Sequence, residues 1–213
     1  MYANESVKRR LGLCLAAGLA AMMWADGAAA QEAPANAAAL VTPAVVDNLR
    51  SVLSSDLVRR SILAQNARYG ALSQSEIDAL DKQWRAEREA GDKPLIAMTL
   101  SNPLSSYLTR EQANALGLYA AIFVMDKNGL NAGQSAITGD FWQGDEAKFQ
   151  KTYSVSPDAV FVDEPEWLED FSVWIVQVNL AIADPATGRA IGAATFDVNL
   201  NELERRAAAA RTN

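Results

Sequence analysis

Apolar residues first fall into a helical rhythm at Val45, Leu49, Val52, Leu53, Leu57, Ile62 and Leu63, with Arg50, Asp56, Arg59 and Arg60 between them. Spacings of three and four residues place side chains on one face of a helix. The pattern predicts one long amphipathic helix over residues 45–63. Ser73 opens a second helix, because its hydroxyl can cap the first turn while Glu76 closes a capping box. Ile77, Leu80 and Trp84 give that helix its apolar stripe, and residues 91–94, from Gly91 to a proline, end it. Asn102-Pro103 starts a short helical turn through Leu108. Thr109-Arg110-Glu111-Gln112 reads as a fresh capping box, and Gly117 as a stop.

From residue 118 the period changes to that of strands. Residues 118–125 read as a buried strand, Asp126-Lys127-Asn128-Gly129 as a tight hairpin turn, and residues 130–135 as the returning strand. A loop and a short helix occupy residues 139–153, and a strand follows at 159–163. Residues 171–183 and 190–199 are two long strands joined by Asp184-Pro185-Ala186-Thr187-Gly188, a turn-forming sequence. A terminal helix covers residues 201–211. This order predicts an α+β fold, a single antiparallel sheet of about five strands with the long N-terminal helix packed behind it.

Alternation along the long strands divides the sheet into two faces. Trp174, Val176, Val178, Leu180 and Ile182 form an apolar face that suits the N-terminal helix. Val173, Ile175, Gln177, Asn179 and Ala181 share the other face. On the next strand Thr195 and Asp197 alternate in the same way against Ala194, Phe196 and Val198. Polar residues on a face covered by the loop-helix segment predict a small-molecule cavity there.

Upstream of the helical rhythm the chain changes character. Lys8, Arg9 and Arg10 precede an apolar run over residues 11–24, and Ala28-Ala29-Ala30 stands before Gln31. This series predicts a secretory signal over residues 1–30, cleaved near Ala30, and a periplasmic product. The apolar run is shorter than a bilayer requires. The predicted organisation is then a flexible leader at 31–44, one domain at 45–204 and a helical tail at 205–213.

Charge and missing residue types narrow the function. The chain carries a net charge of −7, and loss of the signal removes three basic and two acidic residues, leaving the remainder one unit more negative. Nucleic acid and anionic membranes both require a positive face, so neither is an expected partner. The sequence contains no histidine, and its one cysteine, Cys14, lies in the signal. Cys-His zinc sites and Ser-His-Asp or Cys-His nucleophile systems are therefore excluded from the mature domain. No catalytic residue, metal or cofactor is expected, and the chain reads as a non-enzyme. Asp126-Lys127-Asn128-Gly129 begins like a calcium loop but lacks the later ligands. The carboxylates between Asp163 and Asp170 read as a solvated acidic turn.

The densest polar-aromatic cluster is Thr138-Gly139-Asp140-Phe141-Trp142-Gln143-Gly144-Asp145-Glu146-Ala147-Lys148. Its candidate ligand-binding residues are Phe141, Trp142, Gln143 and Lys148, joined from the sheet by Gln177, Asn179 and Thr195. Trp142 offers a wall, the amides of Gln143 and Gln177 offer both donors and acceptors, and Lys148 offers a cation. A helix start near Gly144 adds backbone N–H groups. The combination predicts a small anionic or zwitterionic ligand. Phe141 and Trp142 can equally plug a core, and Asp145 and Glu146 can simply cap a helix.

The run Ala121-Ile122-Phe123-Val124-Met125-Asp126-Lys127-Asn128-Gly129-Leu130-Asn131, then Gly133-Gln134-Ser135, the cluster over residues 138–148 and Ile191-Gly192-Ala193 resemble the Cache (PDC-type) extracytoplasmic sensor domains. In these a strand ends in a D-x-x-G hairpin, a loop of the D-Y/F-W-x-G-D-E type follows, and a late strand carries I-G. The resemblance runs over residues 45–203. It implies a PAS-like sheet with a long helix behind it, and a small-ligand pocket between the sheet and the loop-helix segment. It implies a stand-alone secreted sensor that passes its ligand state to a membrane receptor, kinase or cyclase. The aromatic-Arg-aromatic pattern of the amino-acid-binding members is not reproduced here. Pairing through the N-terminal helix in such domains implies a weak homodimer through residues 45–63. A non-catalytic adaptor of the same fold without a ligand is the alternative.

Overall fold

The computed structural model describes residues 33–34 and 37–211. The secretory signal expected over residues 1–30 lies outside the described residues. The helices that precede the sheet are α1 (Ala37–Leu40), α2 (Pro43–Leu53), α3 (Asp56–Tyr69), α4 (Gln74–Glu89), α5 (Pro94–Leu100) and α6 (Pro103–Asn114). Then come β1 (Tyr119–Met125), β2 (Asn131–Gln134), α7 (Ala147–Gln150), β3 (Val160–Leu168), β4 (Val173–Asp184), β5 (Arg189–Asn199) and α8 (Leu200–Arg211). The strands form one antiparallel sheet in the order β2-β1-β5-β4-β3. Among the described residues no helix is long and apolar enough to cross a membrane.

Residues 45–63 form two helices rather than the one expected. Ser54 closes α2, and the Ser55 hydroxyl caps α3 by accepting the Leu57 N–H at 3.3 Å. Serine followed by aspartate is a helix-start sequence, and here it overrides an uninterrupted apolar stripe. The break lets both halves reach the sheet, with Leu49 and Leu53 from α2 and Val58 and Ile62 from α3 all buried against it. Of the stripe that the sequence offered for pairing with a second copy, Leu49, Leu53 and Ile62 are buried in the chain's own core, and Val45, Val52, Leu57 and Leu63 stay partly exposed. Within the expected leader, Ala37 is buried and α1 packs against α8.

The start of α4 follows expectation, with the Ser73 N–H donating to Glu76 Oε2 at 2.8 Å. Past it the chain does not simply stop at residues 91–94. Pro94 begins α5, and the buried Glu87 carboxylate accepts the N–H groups of Leu95 and Ile96 at 2.8 and 3.0 Å. A side chain from one helix thus satisfies the open donors of the next. Asn102 caps α6, and that helix runs unbroken through the expected second capping box. Nothing interrupts the ladder after Leu108, so the Thr109 hydroxyl bonds back to the Ser105 carbonyl at 2.9 Å instead of capping.

The apolar sheet face behaves as its alternation requires. Val176, Val178, Leu180 and Ile182 of β4 join Phe196 and Val198 of β5 under α2, α3, α6 and α8. Strand β3 extends further than residues 159–163. Its register shifts between Val162 and Pro165, and pairing then continues to Leu168, with Trp167 edge-on to Trp174 at 5.6 Å. The carboxylates read as a solvated turn stand largely on this edge strand, where Pro165 removes no needed ladder donor. The turn shrinks to Glu169–Phe171.

Candidate functional site

The second sheet face is partly open, and a cavity of about 590 Å³ lies on it. Its floor takes Ala121 and Phe123 from β1, Gln177 from β4 and Asp197 from β5, with Asp163 and Glu166 along the β3 side. The roof is residues 136–140, Gln143 and residues 146–148.

Helix α4 holds this roof. Trp84 Nε1 donates to the Thr138 carbonyl at 3.0 Å, Arg88 donates to the Gly139 carbonyl at 3.2 Å, and Arg85 lies 3.1 Å from the Asp140 carboxylate. The buried Asp81 carboxylate accepts the N–H groups of Phe141 and Trp142 at 2.9 and 3.1 Å and is itself paired with Arg85 at 2.7 Å. Every residue from 138 to 142 is therefore tied to one helix.

That clamp decides where the aromatic candidates go. Phe141 is turned away from the cavity and stacks on Trp84 at 5.2 Å in a separate core with Ile77, Leu95 and Ile96. Trp142 packs against the same core, and its indole N–H donates to the Asn128 carbonyl at 3.0 Å. Neither lines the cavity; of the two readings open for this pair, the geometry selects the core plug. Gln143 does line it, with its Nε2 donating to the Asp140 carbonyl at 3.0 Å.

The sheet candidates divide as well. Asn179 and Thr195 are fully buried cross-strand partners, and the Thr195 hydroxyl donates to Asn179 Oδ1 at 2.7 Å. The Asn179 amide also donates to the Phe161 carbonyl at 3.1 Å. Neither residue lines the cavity. Gln177 reaches the cavity and donates to Asp197 Oδ1 at 2.9 Å across the β4–β5 ladder.

Lys148 also lines the cavity. Its ammonium lies 3.0 Å from Glu146 and 5.4 Å from the centre of the Phe123 ring, and its side chain is 12% exposed. It is thus a paired cation. The expected helix start does not serve an anion either: α7 is one turn long, and Glu146 occupies its cap.

Carboxylates dominate the wall. Among the described residues, Asp140, Glu146, Asp163, Glu166 and Asp197 line the cavity with Lys148 as the one ammonium. Arg85 pairs with Asp140 and Lys148 with Glu146, whereas Asp163, Glu166 and Asp197 have no ion pair among the described residues. Burial raises the Asp197 carboxyl to about 6; the Gln177 hydrogen bond and the Lys148 charge pull it down, and Glu166 pushes it up. Such a wall repels an anionic ligand. Among the described residues no group of three or more aspartates, glutamates, cysteines or histidines is placed to hold a metal ion.

Asp197 was visible in the sequence as a polar residue alternating with Thr195. Glu166 was missed because its place on the wall depends on the extended pairing of β3 with β4, and Asp163, at the end of the expected strand, was read with the acidic turn.

No family model matches this sequence, and no curated protein matches it. Among solved structures, the fold is similar to the ligand-binding domain of the Campylobacter jejuni chemoreceptor Tlp3 in complex with 4-methylisoleucine, at 14% identity and a TM-score of 0.38, over 76% of this chain and 61% of that one. It is similar to the ligand-binding domain of the Pseudomonas aeruginosa amino acid chemoreceptor PctC in complex with GABA, at 19% identity and a TM-score of 0.31, over 61% of this chain and 56% of that one. A third is the ligand-binding domain of the Pseudomonas fluorescens chemoreceptor CtaA in complex with L-valine, at 14% identity and a TM-score of 0.35, over 62% of this chain and 64% of that one. The chain spans about three fifths of the length of these structures.

Proposed function

We propose that this chain is a periplasmic sensor module that binds a small polar molecule on the open face of its sheet and passes its ligand state to a membrane receptor, kinase or cyclase. One observation carries the reading: a cavity of about 590 Å³ whose floor is sheet and part of whose roof, residues 138–140, is clamped to a single helix. Convergent polar groups in a preformed concavity are what small-molecule sites use. A ligand touching residues 138–140 would bear directly on the contacts to α4, which gives the bound state a route to the surface. The basic, apolar and Ala-x-Ala series before Gln31 supports the location. The absence of histidine and the placement of the one cysteine at position 14 support a non-catalytic role.

The alternative, an adaptor of the same fold without a ligand, is favoured by the turning of Phe141 and Trp142 into a core. A thermal-shift screen against small amines, amino acids, carboxylates and purines separates the two. A ligand at a hundredfold excess over Kd stabilises the fold by about 2.7 kcal/mol. Gln177→Ala should then weaken that ligand by about 1–3 kcal/mol, since it removes a polar partner inside the cavity. A screen in which every hit binds Gln177→Ala as tightly as the parent would place binding elsewhere.

A further inference from the structure

We infer that the cavity takes an organic dication, a linear aliphatic diamine or polyamine, with its ammonium groups held by the carboxylates that flank Gln177. This rests on the reading of the cavity as a ligand site. Two of the five wall carboxylates already have their counterions, in Arg85 and Lys148. Asp163, Glu166 and Asp197 do not, so the wall is short of positive charge. A zwitterion would bring one positive and one negative group to this surplus. A dication brings two positive groups.

Register sets the shape of the ligand. Asp197 stands opposite Gln177 on β5, while Glu166 stands opposite Ile175 on β3, which lies on the far side of β4. Adjacent strands run about 4.8 Å apart, so backbones two strands apart are separated by roughly 10 Å. Carboxylate arms reaching inward from that separation suit two ammonium groups a few methylenes apart. Between them, on β4, stands the uncharged Gln177 amide.

The wall already displays the required chemistry. Lys148 is an alkylammonium that is almost wholly covered, with a carboxylate at 3.0 Å and an aromatic face at 5.4 Å. Carboxylate plus ring is an arrangement that holds a desolvated ammonium. An inorganic cation fits less well, because a hard divalent ion needs several oxygens converging on one point. No such group is present among the described residues.

The test is calorimetric titration of the full chain with putrescine, γ-aminobutyrate, succinate and calcium chloride, each at low salt. Putrescine should bind, γ-aminobutyrate at least about tenfold more weakly, and succinate and calcium not at all. Glu166→Gln and Asp197→Asn should each weaken putrescine by about tenfold or more, the loss of one charged partner, without lowering the melting temperature. The inference is overturned if γ-aminobutyrate or succinate binds as tightly as putrescine. In that case a loss of affinity in Gln177→Ala would leave the cavity reading standing. It is overturned equally if calcium binds and Glu166→Gln abolishes that binding, which would make the site a metal site. If none of the four binds, the inference falls, and the wider ligand screen decides the cavity reading by itself.

Discussion

The two faces of the central sheet are written by alternate residues of the same strands, yet they obey different constraints. On the helix side, Val176, Val178, Leu180, Phe196 and Val198 are fully buried among apolar neighbours. On the cavity side, Gln177 and Asp197 are only partly covered, and Asp197 has a carboxyl raised to about 6. The first face tolerates no void, because interiors are packed at crystal-like density. The second keeps polar groups at a cost in folding free energy.

The largest effect should come from cutting into the first face. Phe196 is fully buried and edge-on to Tyr119 at 5.3 Å. Phe196→Ala should cost about 3–5 kcal/mol in urea unfolding. Gln177→Ala, one strand away on the opposite face, should cost less than about 1 kcal/mol. Similar losses for both would erase the contrast between the faces. A related backbone limit is Gly192, where an added Cβ would lie 2.2 Å from the Met125 carbonyl oxygen. Backbone cannot swing aside as a side chain can, so Gly192→Ala should destabilise by about 1–3 kcal/mol or more. That close passage of β5 beside β1 gives a physical reason for the Ile191-Gly192 pair noted in the sequence.

The unequal constraints explain which features were legible in the sequence. The helix-side face needs only apolar residues at alternate positions, so Val176, Val178, Leu180 and Ile182 could be assigned from spacing alone. The polar alternation of Gln177 and Asp197 likewise pointed to a second, different face. Three features were not legible because each depends on a distant partner. The capping of α5 is supplied by Glu87, seven residues before its first turn. Phe141 and Trp142 face inward because Asp81 holds their backbone N–H groups, sixty positions earlier in the chain. Glu166 joins the cavity only through its register opposite Ile175. Local chemistry singled out the cluster over residues 138–148 as a candidate, but it could not say which side chains of the cluster point into the cavity.

A smaller effect, of opposite sign, should come from the cavity floor. The Asp197 carboxyl is raised in the folded state, so folding favours its protonated form. Between its unfolded value near 3.8 and its folded value of about 6, the native state holds the extra proton, and stability falls as pH rises through that window. Above about pH 6 the full cost of the buried charge is present. The charged groups facing it are Lys148 from α7 and Glu166 from β3. Asp197→Asn keeps an oxygen for the Gln177 amide and removes the charge. It should raise stability at pH 7.5 by about 1–2 kcal/mol, with the gain vanishing below pH 4. Melting curves of both proteins across that range would show it. A gain that persists at pH 3.5 would mean that packing, not charge, accounts for the change.

The smallest stability effect, and the sharpest division between binding chemistries, should come from Lys148. Its ammonium pairs with Glu146 at 3.0 Å; Glu146 is more than a third exposed, so the pair itself contributes little to folding, and glutamine keeps most of the covered Lys148 stem. Lys148→Gln should therefore change the unfolding free energy by less than about 0.5 kcal/mol. Its effect on ligand affinity depends on the sign of the ligand's charge. For a dication, Lys148 competes with the ligand for the wall carboxylates, and its removal frees Glu146 while leaving Asp197 without its nearest positive neighbour. Putrescine should then bind several-fold more tightly, and the gain should shrink as salt screens the wall. For an anion or a carboxylate-bearing zwitterion, Lys148 is the only cation lining the cavity among the described residues, and its loss should weaken binding. The same substitution thus moves affinity in opposite directions under the two chemistries, while the fold on the helix side of the sheet registers neither.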